Sequence, residues 1–383
     1  MKLSRAFALM VLAMFITILL SGCWNYHDIE KYSIVAGIAI DKDEQSDKYL
    51  LTAEIIDFEI SGKETKNVPK FIESKGTTIF DAVRNMINIT GRRLYWAHAR
   101  IVIISRDIAE NGILSVLDLL YRDAEIREEM DIAISREKTA QEVLETQTII
   151  QDMHSFDIDS SLENQKSVAE SPKVKVYEFI NALEGEGISS ALASVGKEVN
   201  NGKETSITLG TAVFKSDKLV GFLDKEESKY FSFATDKVDK GLLIQTENKM
   251  SAITLEIFKN KTEVKPEYYN GKIKMNIHIS TEVAIAELET SVDYIDEKGR
   301  EKLKKDAEES LKISVEKVIK EVQKDYDSDI FGFGMLVKAY MPSVWKELSP
   351  NWDDLFKSLD VNVTVDISIK NSAIASRTIK LGD

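Results

Sequence analysis

Residues 300–326, REKLKKDAEESLKISVEKVIKEVQKDY, decide how the C-terminal half of this 383-residue chain is built. Leu303, Ala307, Leu311, Val315, Val318, Ile319, Val322 and Tyr326 recur at spacings of three and four, the period of one helix face. The pairs Glu301–Lys305, Glu308–Lys312 and Glu316–Lys320 place an acid one turn ahead of a base, which suits an exposed opposite face. At ~1.5 Å per residue this helix is about 40 Å long, enough to cross a whole sheet. A coiled-coil seam is the rival reading of the same stripe.

The strands it would cover flank it. Thr211–Phe214 and Leu219–Leu223, joined through Asp217-Lys218, read as a short hairpin. Ile253, Leu255 and Ile257 alternate with polar residues, as do Ile273, Met275, Ile277 and Ile279, and Asn270-Gly271 between them is a strong hairpin turn. Val361, Val363, Val365, Ile367 and Ile369 alternate in the same way with Asn362, Thr364, Asp366, Ser368 and Lys370. One polar face per strand predicts an antiparallel sheet with one side in water and the other under the helix. His278 falls on the polar face beside Lys274 and Asn276, as a surface residue. Phe331-Gly332-Phe333-Gly334 ends the helix in a sharp turn, without the preceding strand and placed Lys of a phosphate loop. Trp345 and Trp352 straddle Pro350, which predicts two short helices whose indoles pack back onto the domain.

The N-terminal half alternates strands and helices. Ser33–Ile40 and Tyr49–Ile56 read as strands joined by Asp41–Asp47. That connector has carboxylates at alternate places but lacks the glycine and the final glutamate of a calcium loop, so it reads as a solvated hairpin loop. Gly62–Lys75 reads as a polar loop. Ile79–Ile87 is helical behind a Thr77-Thr78 cap and closes at Gly91. Ile101–Ile104 is a buried strand, Gly112–Arg122 a helix, Asp131–Ser135 a strand and Thr139–Thr146 a helix. Gln151–Gln165, with His154, Asp157 and Asp159, reads as a polar connector rather than a metal site. A helix from Val174 to Leu183 follows Pro172; Gly185-Glu186-Gly187 and Gly196–Thr205 read as loop or linker. The fold class is α/β to α+β, multidomain, with mixed sheets, flanking helices and a C-terminal antiparallel-rich sheet under a long amphipathic helix. The expected divisions are a 1–22 signal peptide, a 23–135 N-terminal α/β domain, a 136–207 small middle domain or linker-rich subdomain, and a 208–383 C-terminal domain with the antiparallel sheet and long helix.

Residues 1–22 read as an address. Lys2 and Arg5 precede an apolar run, Ala6–Leu20, broken only by Thr17. It is shorter than the ~20 residues that span a bilayer and matches a secretory signal. Leu20-Ser21-Gly22-Cys23 then places the chain's only Cys one position after two small residues, as in the lipobox of bacterial lipoproteins. Cys23 would take a diacylglyceryl thioether and become the new N-terminus, outside the cytoplasmic membrane. A plain signal with a chance Cys, or an uncleaved anchor, is the alternative. Cleavage would take the net charge from −14 to −16, since Lys2 and Arg5 leave with the signal.

Composition narrows the function. Fifty Lys+Arg against 64 Asp+Glu disfavours a nucleic-acid partner. A single Cys leaves no intrachain disulfide or Cys-based zinc site, and the four His (His27, His98, His154 and His278) are scattered. No catalytic set stands out, and no cofactor is expected. Arg92-Arg93-Leu94-Tyr95-Trp96-Ala97-His98 is the segment most suited to a partner, since Arg and aromatics dominate interfaces, with Arg92, Arg93, Tyr95 and Trp96 as candidates. The same stretch also reads as the start of a strand with Tyr95 and Trp96 in the core.

Several of these segments together resemble the Ger(x)C lipoproteins, the C subunits of bacterial spore nutrient germinant receptors. The resemblance rests on Leu20–Cys23 with Trp24, Tyr32–Asp41, Gly91–His98, Gly210–Phe214 with Lys218–Gly221, Asp329–Gly334 and the Trp345/Trp352 pair. Asn25-Tyr26-His27-Asp28 departs from the more charged run of many relatives. The resemblance implies a non-enzymatic, lipid-anchored subunit on the outer face of the spore inner membrane, acting with integral-membrane A and B subunits. Whether it touches the germinant itself stays open. A solute-binding lipoprotein is the rival class; it would show two similar α/β lobes, which these halves do not.

Overall fold

Ile101-Val102-Ile103-Ile104 has all four side chains buried, and a strand buried on both faces belongs at the centre of a sheet with helices on each side. The computed structural model describes residues 31–61, 64–123, 125–248, 251–288, 294 and 296–370, with Phe7 and Met10; Leu20–Cys23 and Asn25–Asp28 lie outside the described residues. The first sheet contains β1 (Tyr32–Lys42), β2 (Tyr49–Ser61), β3 (Glu64–Gly76), β4 (Arg93–Tyr95), β5 (Ile101–Ile104), β6 (Asp131–Ser135), β7 (Ala191–Asn200), β8 (Lys203–Lys215) and β9 (Lys218–Leu223). Its order is β3-β2-β1-β5-β6-β7-β8-β9, with β4 beside β1. The centre, β1-β5-β6-β7, is parallel, and antiparallel hairpins close both ends.

Val102 and Ile104 face a core shared with the helices Ile79–Thr90, Leu114–Arg122 and Val176–Glu184. Ile101 and Ile103 face Val143, Leu144, Ile158 and Leu162, from the helices Gln141–Leu144 and His154–Glu163. The Ile79–Thr90 helix starts and stops where its sequence says: Thr78 accepts from the Asp81 N–H at 3.1 Å, and Gly91 takes φ 65°.

The structure corrects three readings of this half. The polar run 62–75 supplies β3, whose polarity and Pro69 suit its place as an edge strand. Residues 154–163 form a helix rather than a connector. Residues 196–205 belong to the β7–β8 hairpin, turned by Asn201 (φ 51°) and Gly202 (φ 78°). Separately, hydrogen bonding runs across the expected divisions at 135/136 and 207/208, since β6 pairs with β7 and β8 runs through 207.

The second sheet, β10 (Gly241–Asn248), β11 (Ser251–Tyr269), β12 (Lys272–Leu288) and β13 (Asp360–Ile369), lies in that order. Asn270 and Gly271, at φ 50° and 76°, turn β11 into β12. β13 runs parallel to β12, not antiparallel, because the long helix carries the chain back across the sheet before β13 begins. That helix spans Glu297–Glu321 and ends in a π-turn over Val322–Tyr326. Seven of its eight stripe residues are buried, and Tyr326 is half-buried. Of the three expected ion pairs, Glu301–Lys305 forms at 3.6 Å. Glu308 turns away from Lys312 to accept the Ile367 N–H of β13 at 2.9 Å and to meet Lys304 at 3.5 Å.

The two sheets meet along a seam of close backbone contacts. The Met335 N–H donates to the Gly187 carbonyl at 2.8 Å, and the Ser189 N–H to the Asp329 carbonyl at 2.8 Å. The Tyr326 hydroxyl donates to the Phe222 carbonyl at 2.8 Å. A Cβ on Gly334 would sit 2.7 Å from the Gly187 Cα and 2.7 Å from the Trp352 indole nitrogen. Trp345 and Trp352 are both buried and meet edge to face at 5.3 Å, on separate short helices, Pro342–Leu348 and Trp352–Lys357. We expect Gly334→Ala to cost about 1–3 kcal/mol through overpacking and Trp352→Ala about 3–5 kcal/mol. Urea unfolding of the full chain measures both, and wild-type midpoints would contradict this packing.

Candidate functional site

The segment Arg92–His98 enters the sheet as β4 and leaves it as a 3₁₀ turn, Trp96–His98. Side chains alternate along a strand, so Leu94 goes inward while Arg93 and Tyr95 go outward, and Trp96, at the start of the turn, is buried as well. Tyr95 is therefore 39% exposed rather than in the core, and Trp96, 3% exposed, is withdrawn from any surface. Arg93 pairs with Glu125 at 2.7 Å and lies over the Tyr32 ring at 6.0 Å. Tyr95 meets Tyr32 edge-on at 6.0 Å and His98 at 5.7 Å. Arg92, Arg93 and Tyr95 thus form one exposed cluster at the Tyr32 end of β1.

Three buried carboxylates organise the interior, and each ties together distant parts of the chain. Asp41, the first carboxylate of the β1–β2 connector, accepts the Ala140 and Gln141 N–H groups at 2.6 and 3.0 Å. It anchors the start of the Gln141–Leu144 helix, and burial pushes it up to about 6 against those two hydrogen bonds. Glu54, wholly buried in β2, accepts from the backbone and ring of His154 at 2.7 and 2.8 Å and from the backbone and hydroxyl of Ser155. Asp329 accepts the Phe333 and Gly334 N–H groups at 3.1 and 2.8 Å and the Trp352 indole N–H at 3.0 Å. Its burial outweighs those donors and raises it to about 6.

His154, Asp157 and Asp159 are not brought together. His154 turns to Glu54, Asp157 accepts the Ile149 and Gln151 N–H groups, and Asp159 meets Lys173 at 3.0 Å. Among the described residues no group of three or more His, Cys, Asp or Glu side chains is placed to hold a metal ion. Lys173 also pairs with Asp131 at 3.0 Å and Glu163 at 2.9 Å, beside a cleft of about 570 Å³. Burial, then the Asp159 carboxyl beside it, raises Asp131 to about 7, although Lys173 opposes both.

Sequence reasoning missed Glu54 and Asp329. A lone carboxylate inside the apolar run of β2 is a signal of a buried acceptor, but its partner stands 100 residues away. An Asp followed four and five residues later by Phe333 and Gly334, with a Trp indole in want of an acceptor, marks the second.

Two family models match this chain: the spore germination protein N-terminal domain over residues 25–197, and the spore germination B3/GerAC-like C-terminal domain over residues 209–373. The chain belongs to the Ger(x)C family. It is 25% identical to spore germination protein B3 of Bacillus subtilis (strain 168) across 97% of this chain and 98% of that protein. It is 22% identical to spore germination protein KC of the same organism, covering 98% of both. The crystal structure of the GerBC protein superposes with a TM-score of 0.59 and 24% identity, over 90% of this chain and 100% of that one, and shows the same fold. In this Ger(x)C chain the short interval between the two matched domains falls inside β7–β8, so the family's domains share one sheet.

A raised carboxyl binds its proton more tightly in the folded chain than in the unfolded one. Its contribution to stability therefore falls as pH rises from about 4 toward its folded pKa. Asp131 titrates highest of the three raised aspartates, so we expect it alone to contribute about 1 kcal/mol of the stability the Ger(x)C chain gains on going from about pH 7.5 to 6. Asp131→Asn should flatten that slope in urea titrations at the two pH values. An equal slope in the variant would contradict the assignment.

Proposed function

We propose that this chain is the lipid-anchored C subunit of a spore nutrient germinant receptor, a non-enzymatic component that acts with integral-membrane A and B subunits to trigger germination. The observation that carries the reading is Leu20-Ser21-Gly22-Cys23, the chain's sole Cys closing an apolar run, on a member of the Ger(x)C family. Among the described residues no helix is long and apolar enough to cross a membrane; in this reading a covalent lipid at Cys23 supplies the attachment. A single acyl chain holds weakly, which suits the two chains of a diacylglyceryl group. The body then stands on the outer face of the spore inner membrane.

The chemistry of the interior supports a structural subunit. Its buried carboxylates are occupied by backbone N–H groups, an indole, a hydroxyl and Lys173. A solute-binding lipoprotein built on two like lobes is disfavoured, because the two sheets differ in size and strand order.

Cys23→Ala should abolish incorporation of labelled fatty acid and release the protein from spore membranes. Affinity purification of the wild type from those membranes should recover two integral-membrane subunits. Undiminished lipid labelling in the variant, or recovery of the chain alone, would contradict the proposal.

A further inference from the structure

One end of the large sheet gathers exposed apolar side chains, a tyrosine and two arginines, one of them, Arg93, shared with Glu125. β1 begins at Tyr32, and the β2–β3 hairpin extends past it, since Ile34 lies opposite Ile56 and β2 continues to Ser61. The Ile79–Thr90 helix ends there too, because Arg93 of the following strand pairs with Tyr32. Three large side chains are open to solvent at this end: Phe58 at 56%, Ile89 at 61% and Tyr95 at 39%. Arg92 and Arg93 stand among them, and Arg92 lies close enough to Asp57 to help Lys70 hold that carboxyl low. Exposed apolar side chains, tyrosines and arginines in one rim match the boundary layer of a bilayer, where aromatic rings sit at the headgroups and basic groups meet anionic lipid.

The tether ends at the same place. Nine peptide steps join Cys23 to Tyr32, so the chain reaches about 32 Å at most when extended. The opposite end of β1, at Lys42 and the Asp43–Lys48 loop, is a further ~33 Å away along a rigid strand. The tether permits several orientations; the one that seats the apolar and basic rim beside the point of attachment is that with the Tyr32 end down.

We propose that the Tyr32 end of the large sheet, bearing Phe58, Ile89, Arg92, Arg93 and Tyr95, rests on the anionic lipid surface that holds the anchor. This orientation rests on the proposed lipid attachment at Cys23. It leaves the Asp43–Lys48 loop pointing away from the bilayer.

The lipidated full chain offers a direct test, since modification of its only Cys leaves any introduced Cys as the sole thiol. Phe58→Cys, Ile89→Cys and Gln45→Cys variants would carry a fluorophore, in vesicles of phosphatidylcholine and phosphatidylglycerol with a nitroxide quencher on the headgroup. Quenching should be severalfold stronger at positions 58 and 89 than at 45. It should fall severalfold when Arg92→Glu and Arg93→Glu are added. Equal quenching at all three positions, or quenching indifferent to the charge reversal, would overturn the proposal and leave this end free for a protein partner. Vesicle flotation and the mass of the N-terminal peptide report the anchor separately. Chains that neither float nor carry lipid would overturn the anchor reading, and the orientation with it.

Discussion

Asp329 is a carboxylate removed almost wholly from water, and the groups that satisfy it come from three parts of the chain that must meet for the fold to close. Its oxygens take the N–H groups of Phe333 and Gly334 and the indole N–H of Trp352, while its carbonyl takes the N–H of Ser189. The first two fix the turn after the long helix. The third seats the last short helix before β13. The fourth reaches across to the segment that feeds β7 of the other sheet. Burying a charge is costly, and here the cost shows as a pKa raised to about 6. Removing it would be costlier, because three donors would be left buried without an acceptor. The glycines make the approach possible: Gly187 and Gly334 touch backbone to backbone where any side chain would collide.

Much of this was legible where a period or a turn residue governs local structure. The long helix kept its stripe because Leu303 through Val322 sit at helical spacing over a sheet that needs covering. Asn270-Gly271 turned its hairpin because both positions require positive φ. The same chemistry stood in the run 196–205, where Asn201-Gly202 turns β7 into β8, yet surrounding polar residues masked it. β3 was hidden for a related reason: an edge strand faces water along much of its length and carries loop-like composition. The direction of β13 was beyond periodicity, since alternation gives a strand's faces but not its sense.

The site was legible only in part. Arg92, Arg93 and Tyr95 reached the surface, while Trp96, which opens the 3₁₀ turn after β4, is in the core. Gly185-Glu186-Gly187, read as a loop, serves the seam: Glu186 pairs with Lys338 and meets the Trp345 indole, and Gly187 abuts Gly334. Asp41 and Glu54 act likewise in the first half, tying helix starts to strands about 100 residues away. Such long-range satisfaction of buried charge leaves no periodic trace in a sequence. It explains how a chain dense in carboxylates uses several of them for architecture.

Hydrogen exchange of the full-length Asp329→Ala variant tests most directly whether this carboxylate holds the seam. The account predicts exchange faster by about tenfold or more in peptides covering 185–190 and 333–336 together, the scale of a lost buried acceptor. It also predicts unchanged protection of β5 at the centre of the large sheet. Wild-type exchange on both sides of the seam in that variant would contradict it.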